Sequence, residues 1–240
     1  MRLPAFGCML LCSALPLAAQ QLTVYTTDYP PLSMVGQSGN ISGIGIELLR
    51  QAAQKSGITL DIRGDLAWKR AQQSAKQTRN VCLYPFTRAE VREHQFRWVS
   101  LVIPSEHGLY ALPDGPRPQQ IGDVAKLRTV VMLGTTAEGR LRDQGLPYTT
   151  TITPADSLRM LRHRAVDLWA VHDIVARYYA VQLAVPIRRT MGLGRADIWL
   201  ACNLAVPMEQ VTRLDKAITQ LRANGEDERI TQRYLQRQTP

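Results

Sequence analysis

Short runs of β-branched and apolar residues alternate along this chain with longer stretches of helical periodicity, and that alternation restricts the fold more than any other feature. A strand, a helix and a second strand form a crossover unit, so the pattern implies a parallel sheet with helices on its faces. Residues 22–26 read as the first strand, closed by Thr27-Asp-Tyr-Pro-Pro31, where two prolines end the ladder and expose Asp28 and Tyr29. Residues 46–55 have helical spacing and stop at Ser56-Gly57, and residues 58–62 form a second strand. The next helix opens on Asp65 as its cap and carries Trp68; residues 81–84 are a buried third strand that must stop at Pro85.

Extended pieces are expected at 95–99 and 107–112, before Pro113-Asp-Gly-Pro-Arg-Pro118, the strongest break and the best candidate for a domain crossing. A second alternating set follows. Residues 128–133 are a strand, Gly134-Thr135-Thr136 a tight turn into a helix around 138–143, and Thr153-Pro154 a helix cap with proline at the first position. Residues 166–171 are a strand ending at His172-Asp173 before another helix, and Gly192-Leu-Gly194 reads as a flexible joint. A last strand spans 198–204, a long amphipathic helix runs from Pro207 to Ala223, and a short helix ends near Leu235.

The first residues belong to a different logic. Positive charge at Arg2, an apolar stretch at 6–17 too short to span a bilayer, and Leu17-Ala-Ala19 predict a signal peptide over 1–19. The mature chain would begin near Gln20 in the periplasm, and no later segment is long and apolar enough to cross a membrane. Cys8 and Cys12 would leave with the signal. Cys82 and Cys202 remain, and in an oxidising compartment a disulfide and two buried thiols both stay open.

With 240 residues the chain can build one large domain or two modest ones. Its 29 Lys and Arg against 20 Asp and Glu, a net charge of +9, are scattered, without an aromatic-basic repeat. Nucleic-acid binding is therefore not expected, while anionic ligands are weakly favoured. His94, His107 and His163 show no metal spacing, so neither a metal site nor a cofactor is expected.

Chemistry concentrates at Tyr84-Pro-Phe-Thr-Arg-Ala-Glu-Val-Arg92. Thr87 offers a hydroxyl and Arg92 a planar fork of donors matched to a carboxylate, both at the carboxyl end of a strand, where open α/β sheets place ligands. The competing reading is that Arg88 and Arg92 are solvated surface. Trp169 and Trp199, inside strand runs, read as core, and Trp98 is ambiguous.

Five motifs in sequence order carry a family resemblance: Thr27-Asp-Tyr-Pro-Pro-Leu32, Ser42-Gly-Ile-Gly-Ile-Glu-Leu48, Trp68-Lys-Arg-Ala71, Phe86-Thr-Arg-Ala-Glu-Val-Arg92 and Gly134-Thr-Thr-Ala-Glu138. Together they resemble the periplasmic solute-binding proteins of bacterial ABC importers, the polar-amino-acid type called extracellular solute-binding protein family 3. Trp68-Lys-Arg-Ala71 resembles a Trp-x-Arg-Ala branch of that family, so the ligand need not be an amino acid. The resemblance implies an α/β, two-lobed type II periplasmic-binding fold with two hinge crossings: lobe 1 from 20–112, lobe 2 from 113–193, and a return to lobe 1 over 194–240.

Residue by residue, the resemblance implies that Arg92 pairs with a ligand carboxylate, helped by Thr87 and by backbone N–H groups near Pro85 and Thr87, with Tyr84 beside them in the ligand-binding set. Thr135 and Thr136 would close on the same anion from lobe 2. Tyr29, Trp68 and Met132 would form apolar walls, and Asp28 would meet an ammonium group. At 172 the family's aspartate is replaced by His172, so either Asp173 substitutes or the ligand lacks a standard α-amino group. The return strand would lie antiparallel to the third strand, making Cys82 and Cys202 neighbours and candidates for a disulfide. The implied function is capture of a small polar, carboxylate-bearing solute by a monomer that hands it to an inner-membrane ABC permease, without catalysis. Two other readings compete: a cyclohexadienyl dehydratase-like enzyme using His172 or Asp173 as general acid, and a stand-alone sensory module.

Overall fold

A computed structural model describes residues 21–236, and the signal-peptide reading for 1–19 lies outside them. The chain begins with β1 (Gln21–Tyr25), a small hairpin of β2 (Met34–Val35) and β3 (Ile41–Ser42), α1 (Ile44–Ser56), β4 (Thr59–Arg63) and α2 (Trp68–Gln77). It continues through β5 (Val81–Thr87), a 3-10 turn (Glu90–Gln95) and β6 (Arg97–Ile103). A second set follows: β7 (Glu106–Ala111), α3 (Ile121–Val124), β8 (Thr129–Met132), α4 (Thr136–Asp143), β9 (Thr149–Thr151), α5 (Pro154–Arg162), β10 (Leu168–His172), α6 (Asp173–Gln182) and β11 (Arg188–Arg195). The chain then returns through β12 (Ile198–Cys202), α7 (Met208–Ala223) and α8 (Glu226–Leu235).

Two five-stranded sheets result, ordered β4-β1-β5-β12-β6 and β11-β7-β10-β8-β9. The parallel pairs β1–β4, β1–β5, β8–β10 and β8–β9 come from the strand–helix alternation, as expected of crossover units. The return strand β12 lies antiparallel to β5, and its register sets Cys202 opposite Cys82. Both cysteines are fully buried and joined in a disulfide, which resolves the choice that the sequence left open. Among the described residues no helix is long and apolar enough to cross a membrane.

The crossings are not where the prolines predicted. Strand β7 pairs with β10 and β11, so it already belongs to the second sheet, and the chain changes lobe at Pro104-Ser105 rather than at 113. It changes back at Ala196-Asp197, after β11 rather than at 193. The two crossings hold each other: Ala196 N–H donates to the Ser105 carbonyl (2.8 Å) and Ser105 N–H to Asp197 Oδ1 (3.2 Å). The proline-rich segment is instead a lobe 2 surface loop whose Pro113, Gly115 and Pro116 carbonyls accept from Arg188. Gly192 and Gly194 are bulge positions within β11, not a free joint.

Local chemistry explains the helix starts. Thr153 Oγ1 accepts from Asp156 N–H (3.2 Å) with Pro154 in the first turn, the cap read from sequence. Asp65, by contrast, is no cap: α2 begins three residues later at Trp68, after Ala67. Trp169 is completely buried, as read from its strand. Trp199 is only half-buried; the Arg88 guanidinium covers its ring at 4.8 Å, so it is not a core residue.

Candidate ligand-binding cleft

The carboxyl ends of strands from both sheets converge on one cavity. Lobe 1 brings Thr27 and Tyr29 from the loop after β1, Trp68 from the start of α2, Pro85, Phe86 and Thr87 from the end of β5, and Arg92 from the following turn. Lobe 2 brings Met132 at the end of β8, Thr135 and Thr136 at the start of α4, and His172 at the end of β10. The lining residues bound a cavity of about 350 Å³ that is partly open to solvent.

Arg92 crosses this boundary. Its guanidinium lies over the Phe86 ring at 4.3 Å and donates to the Thr87 carbonyl (3.3 Å), Gln72 Oε1 (3.3 Å) and, from the other lobe, the Gly134 carbonyl (3.2 Å). All three acceptors are neutral, and among the described residues no carboxylate faces it. Burial lowers its pKa to about 10, which still leaves it charged at neutral pH. Arg92 is half-buried at the cavity wall, and a partly desolvated charge without a counter-ion is costly.

Opposite it, the turn into α4 takes a left-handed glycine: Gly134 has φ 80° and its N–H is bound by Glu138 Oε2 (2.6 Å). Thr135 caps the helix, donating its hydroxyl to the Met132 carbonyl (2.8 Å) and accepting from Glu138 N–H (3.3 Å). Thr136 Oγ1 is buried without a hydrogen-bond partner. A threonine hydroxyl left so at a helix N-terminus, lining the same cavity as Arg92, is free to hydrogen-bond a further group.

His172 fills the middle of the cleft. Its Nδ1 is 2.9 Å from Tyr29 Oη and 3.3 Å from His107 Nε2, and its Nε2 is 3.2 Å from Thr87 Oγ1. His107 Nδ1 in turn lies 3.3 Å from Arg140 Nη1, which also donates to the Leu193 and Gly194 carbonyls. Burial pushes the His172 pKa down to about 4, against a smaller upward pull from Asp173, and holds His107 well below the usual imidazole range. Both rings are therefore neutral. The two hydrogens of Arg140 Nη1 are directed at the Leu193 and Gly194 carbonyls, and one tautomer pair fits the contacts: His107 Nδ1 bare towards Arg140, His107 Nε2–H donating to His172 Nδ1, and His172 Nε2–H donating to Thr87 Oγ1. The Thr87 hydroxyl hydrogen is left for the cavity.

Three expected site residues are elsewhere, each for a physical reason. Tyr84 turns into the core, where its hydroxyl packs so closely on α1 that only glycine fits at Gly45. Asp28 accepts from Val35 N–H (3.0 Å) and lines an outer groove beyond Trp68. Asp173 accepts from Ser105 Oγ (2.7 Å) and Glu106 N–H (3.3 Å), bracing the first crossing from the N-terminus of α6. Conversely, Thr27, Phe86 and Gln72 join the site without having been singled out. Phe86 stood within the motif, and it lines the cavity beside Pro85 and Thr87. His107 joins only because β7 pairs antiparallel with β10 in the register His172↔His107, which no local pattern announces.

The profile of the bacterial extracellular solute-binding proteins, family 3, matches residues 22–237. No curated protein matches the chain. Among solved structures, a histidine kinase sensor domain with similarity to periplasmic binding proteins shares 23% identity at a TM-score of 0.80, covering 92% of this chain and 99% of that one. The substrate binding protein of an amino acid ABC transporter shares 18% at 0.75, covering 89% and 98%. The ancestral amino acid-binding protein AncCDT-1, a precursor of cyclohexadienyl dehydratase, shares 17% at 0.77, covering 90% and 96%. At these identities the structural likeness speaks to the fold.

Proposed function

This chain belongs to the bacterial extracellular solute-binding proteins, family 3, and from that premise we propose that it captures a small carboxylate-bearing solute by closing two lobes around it. The observation that carries this reading is Arg92: a half-buried guanidinium with only neutral partners, in a cavity that Thr136, whose hydroxyl is unpartnered, lines from the other lobe. In the closed form the carboxylate pairs with Arg92 and takes hydrogen bonds from Thr87 and Thr136, while Trp68, Phe86, Met132 and Tyr29 enclose the apolar part. Contacts between lobes, Arg92 and Gln72 to the Gly134 carbonyl and Tyr29 and Thr87 to His172, give closure a definite end-point.

Binding rather than turnover is favoured because Asp173, the carboxylate expected to act as acid, faces the hinge, and both nitrogens of neutral His172 are engaged. We place the protein in the periplasm after removal of an N-terminal signal, as a monomer delivering its solute to an inner-membrane ABC permease. Isothermal titration against a panel of amino and organic acids tests the reading. Arg92→Ala is expected to weaken the best ligand by about a hundredfold or more, since it removes a desolvated charge pair. Undiminished affinity in that variant removes the clamp.

A further inference from the structure

We infer that the solute is a carboxylate without an ammonium group, a 2-oxo acid or similar organic anion with a compact apolar body, rather than an amino acid. The inference rests on the carboxylate reading of Arg92 and sharpens it. Every polar group that the cavity presents is a donor or neutral: the Arg92 guanidinium, the hydroxyls of Thr87 and Thr136, and the ring of His172. An α-ammonium carries three donors and a positive charge, and entering a closed cleft it needs a carboxylate or several free carbonyls.

Among the described residues that line the cavity none carries a carboxylate. The nearest acids turn to other partners: Asp28 to Val35 N–H, Asp173 to Ser105 and Glu106, Glu138 to Gly134 N–H. The Gly134 carbonyl already accepts from Gln72 and Arg92, the Met132 carbonyl from Thr135, and the Thr27 carbonyl from Ser33 Oγ. Position 172 itself presents an N–H towards Thr87 and a lone pair already shared by Tyr29 and His107. In the tautomer pair that fits these contacts the Thr87 hydroxyl hydrogen is left for the cavity, where it suits a carboxylate or keto oxygen. Beside Arg92 the carboxylate of an amino acid is neutralised, and its ammonium is left as the uncompensated charge.

Matched pairs test this directly: pyruvate with alanine, 4-methyl-2-oxopentanoate with leucine, 2-oxoglutarate with glutamate, and phenylpyruvate with phenylalanine, each titrated calorimetrically into the wild-type protein and Arg92→Ala. The expected result is that the tightest pair favours the oxo acid by about a hundredfold, the scale of an unpaired buried charge. His172→Asp, which adds a carboxylate at the end of β10, should reduce or reverse that preference, with circular dichroism checking its fold. An amino acid binding as well as or better than its oxo partner, with dependence on Arg92, overturns the inference and leaves carboxylate capture intact. If no pair binds, or binding is indifferent to Arg92→Ala, capture itself falls and this inference falls with it.

Discussion

The two lobes hold their shapes by different means. In lobe 1, α1, α2, α7 and α8 have no side-chain cap hydrogen bond at their starts, and the sheet is stapled by the Cys82–Cys202 disulfide between β5 and β12. An aromatic group of Trp68, Phe86, Phe96 and Trp98 packs edge-on and stacked at its cleft end. Lobe 2 has threonine caps on α4 and α5 and a polar line from Arg140 through His107 to His172. The contrast teaches a division of labour. Lobe 1 presents a fixed charge on a covalently braced base, and lobe 2 presents neutral groups whose hydrogen-bonding sense depends on protonation.

Removing the staple should give the largest effect. Its cysteines are separated by 120 residues, and a loop of that size is worth about 4–5 kcal/mol in chain entropy, so Cys82→Ala/Cys202→Ala should lower urea-unfolding stability by that order. A loss under about 1 kcal/mol would mean that packing alone secures lobe 1, and the contrast would break.

Acid should act on the other side of the comparison. The unfolded chain takes up a proton on His172 as pH drops below about 6.5, whereas the folded chain resists until about 4. Stability is therefore present above that range and lost as pH falls through it, by up to about 3 kcal/mol for this one group. His107, depressed for the same reason of burial, adds in the same direction; Asp173 opposes it and Arg140 reinforces it. His172→Gln should flatten the profile between pH 6.5 and 4 in denaturation curves, and an unchanged slope would remove the protonation-sensitive half of the contrast. The smallest effect is local: Thr153→Ala should cost about 1 kcal/mol and lower the melting temperature by a few degrees, because the α5 cap is lost. A melting temperature left unchanged would show that lobe 2 does not depend on its caps.

Much of this architecture was legible because it is local. The strand–helix alternation, the turn at Gly134-Thr135-Thr136, the cap at Thr153 and the forked donor of Arg92 rest on spacing of a few residues. The crossings were misplaced because six residues dense in proline and glycine look more like a boundary than Pro104-Ser105 or Ala196-Asp197, which are short because β6 runs almost directly into β7 and β11 into β12. Direction of side chains was the other blind spot. Asp28 and Asp173 stand one residue from Thr27 and His172, which line the cavity, and that single step turns each acid to another face. His107 became part of the site only through long-range register.

Because the Cys82–Cys202 bond closes the loop that carries the whole of lobe 2, the second lobe is topologically a handle welded to the first at both feet. A protease that severs any single peptide bond between those two cysteines makes two fragments that still migrate as one molecule until a reductant is added. The handle can thus be nicked without being shed, and its feet stay side by side on neighbouring strands.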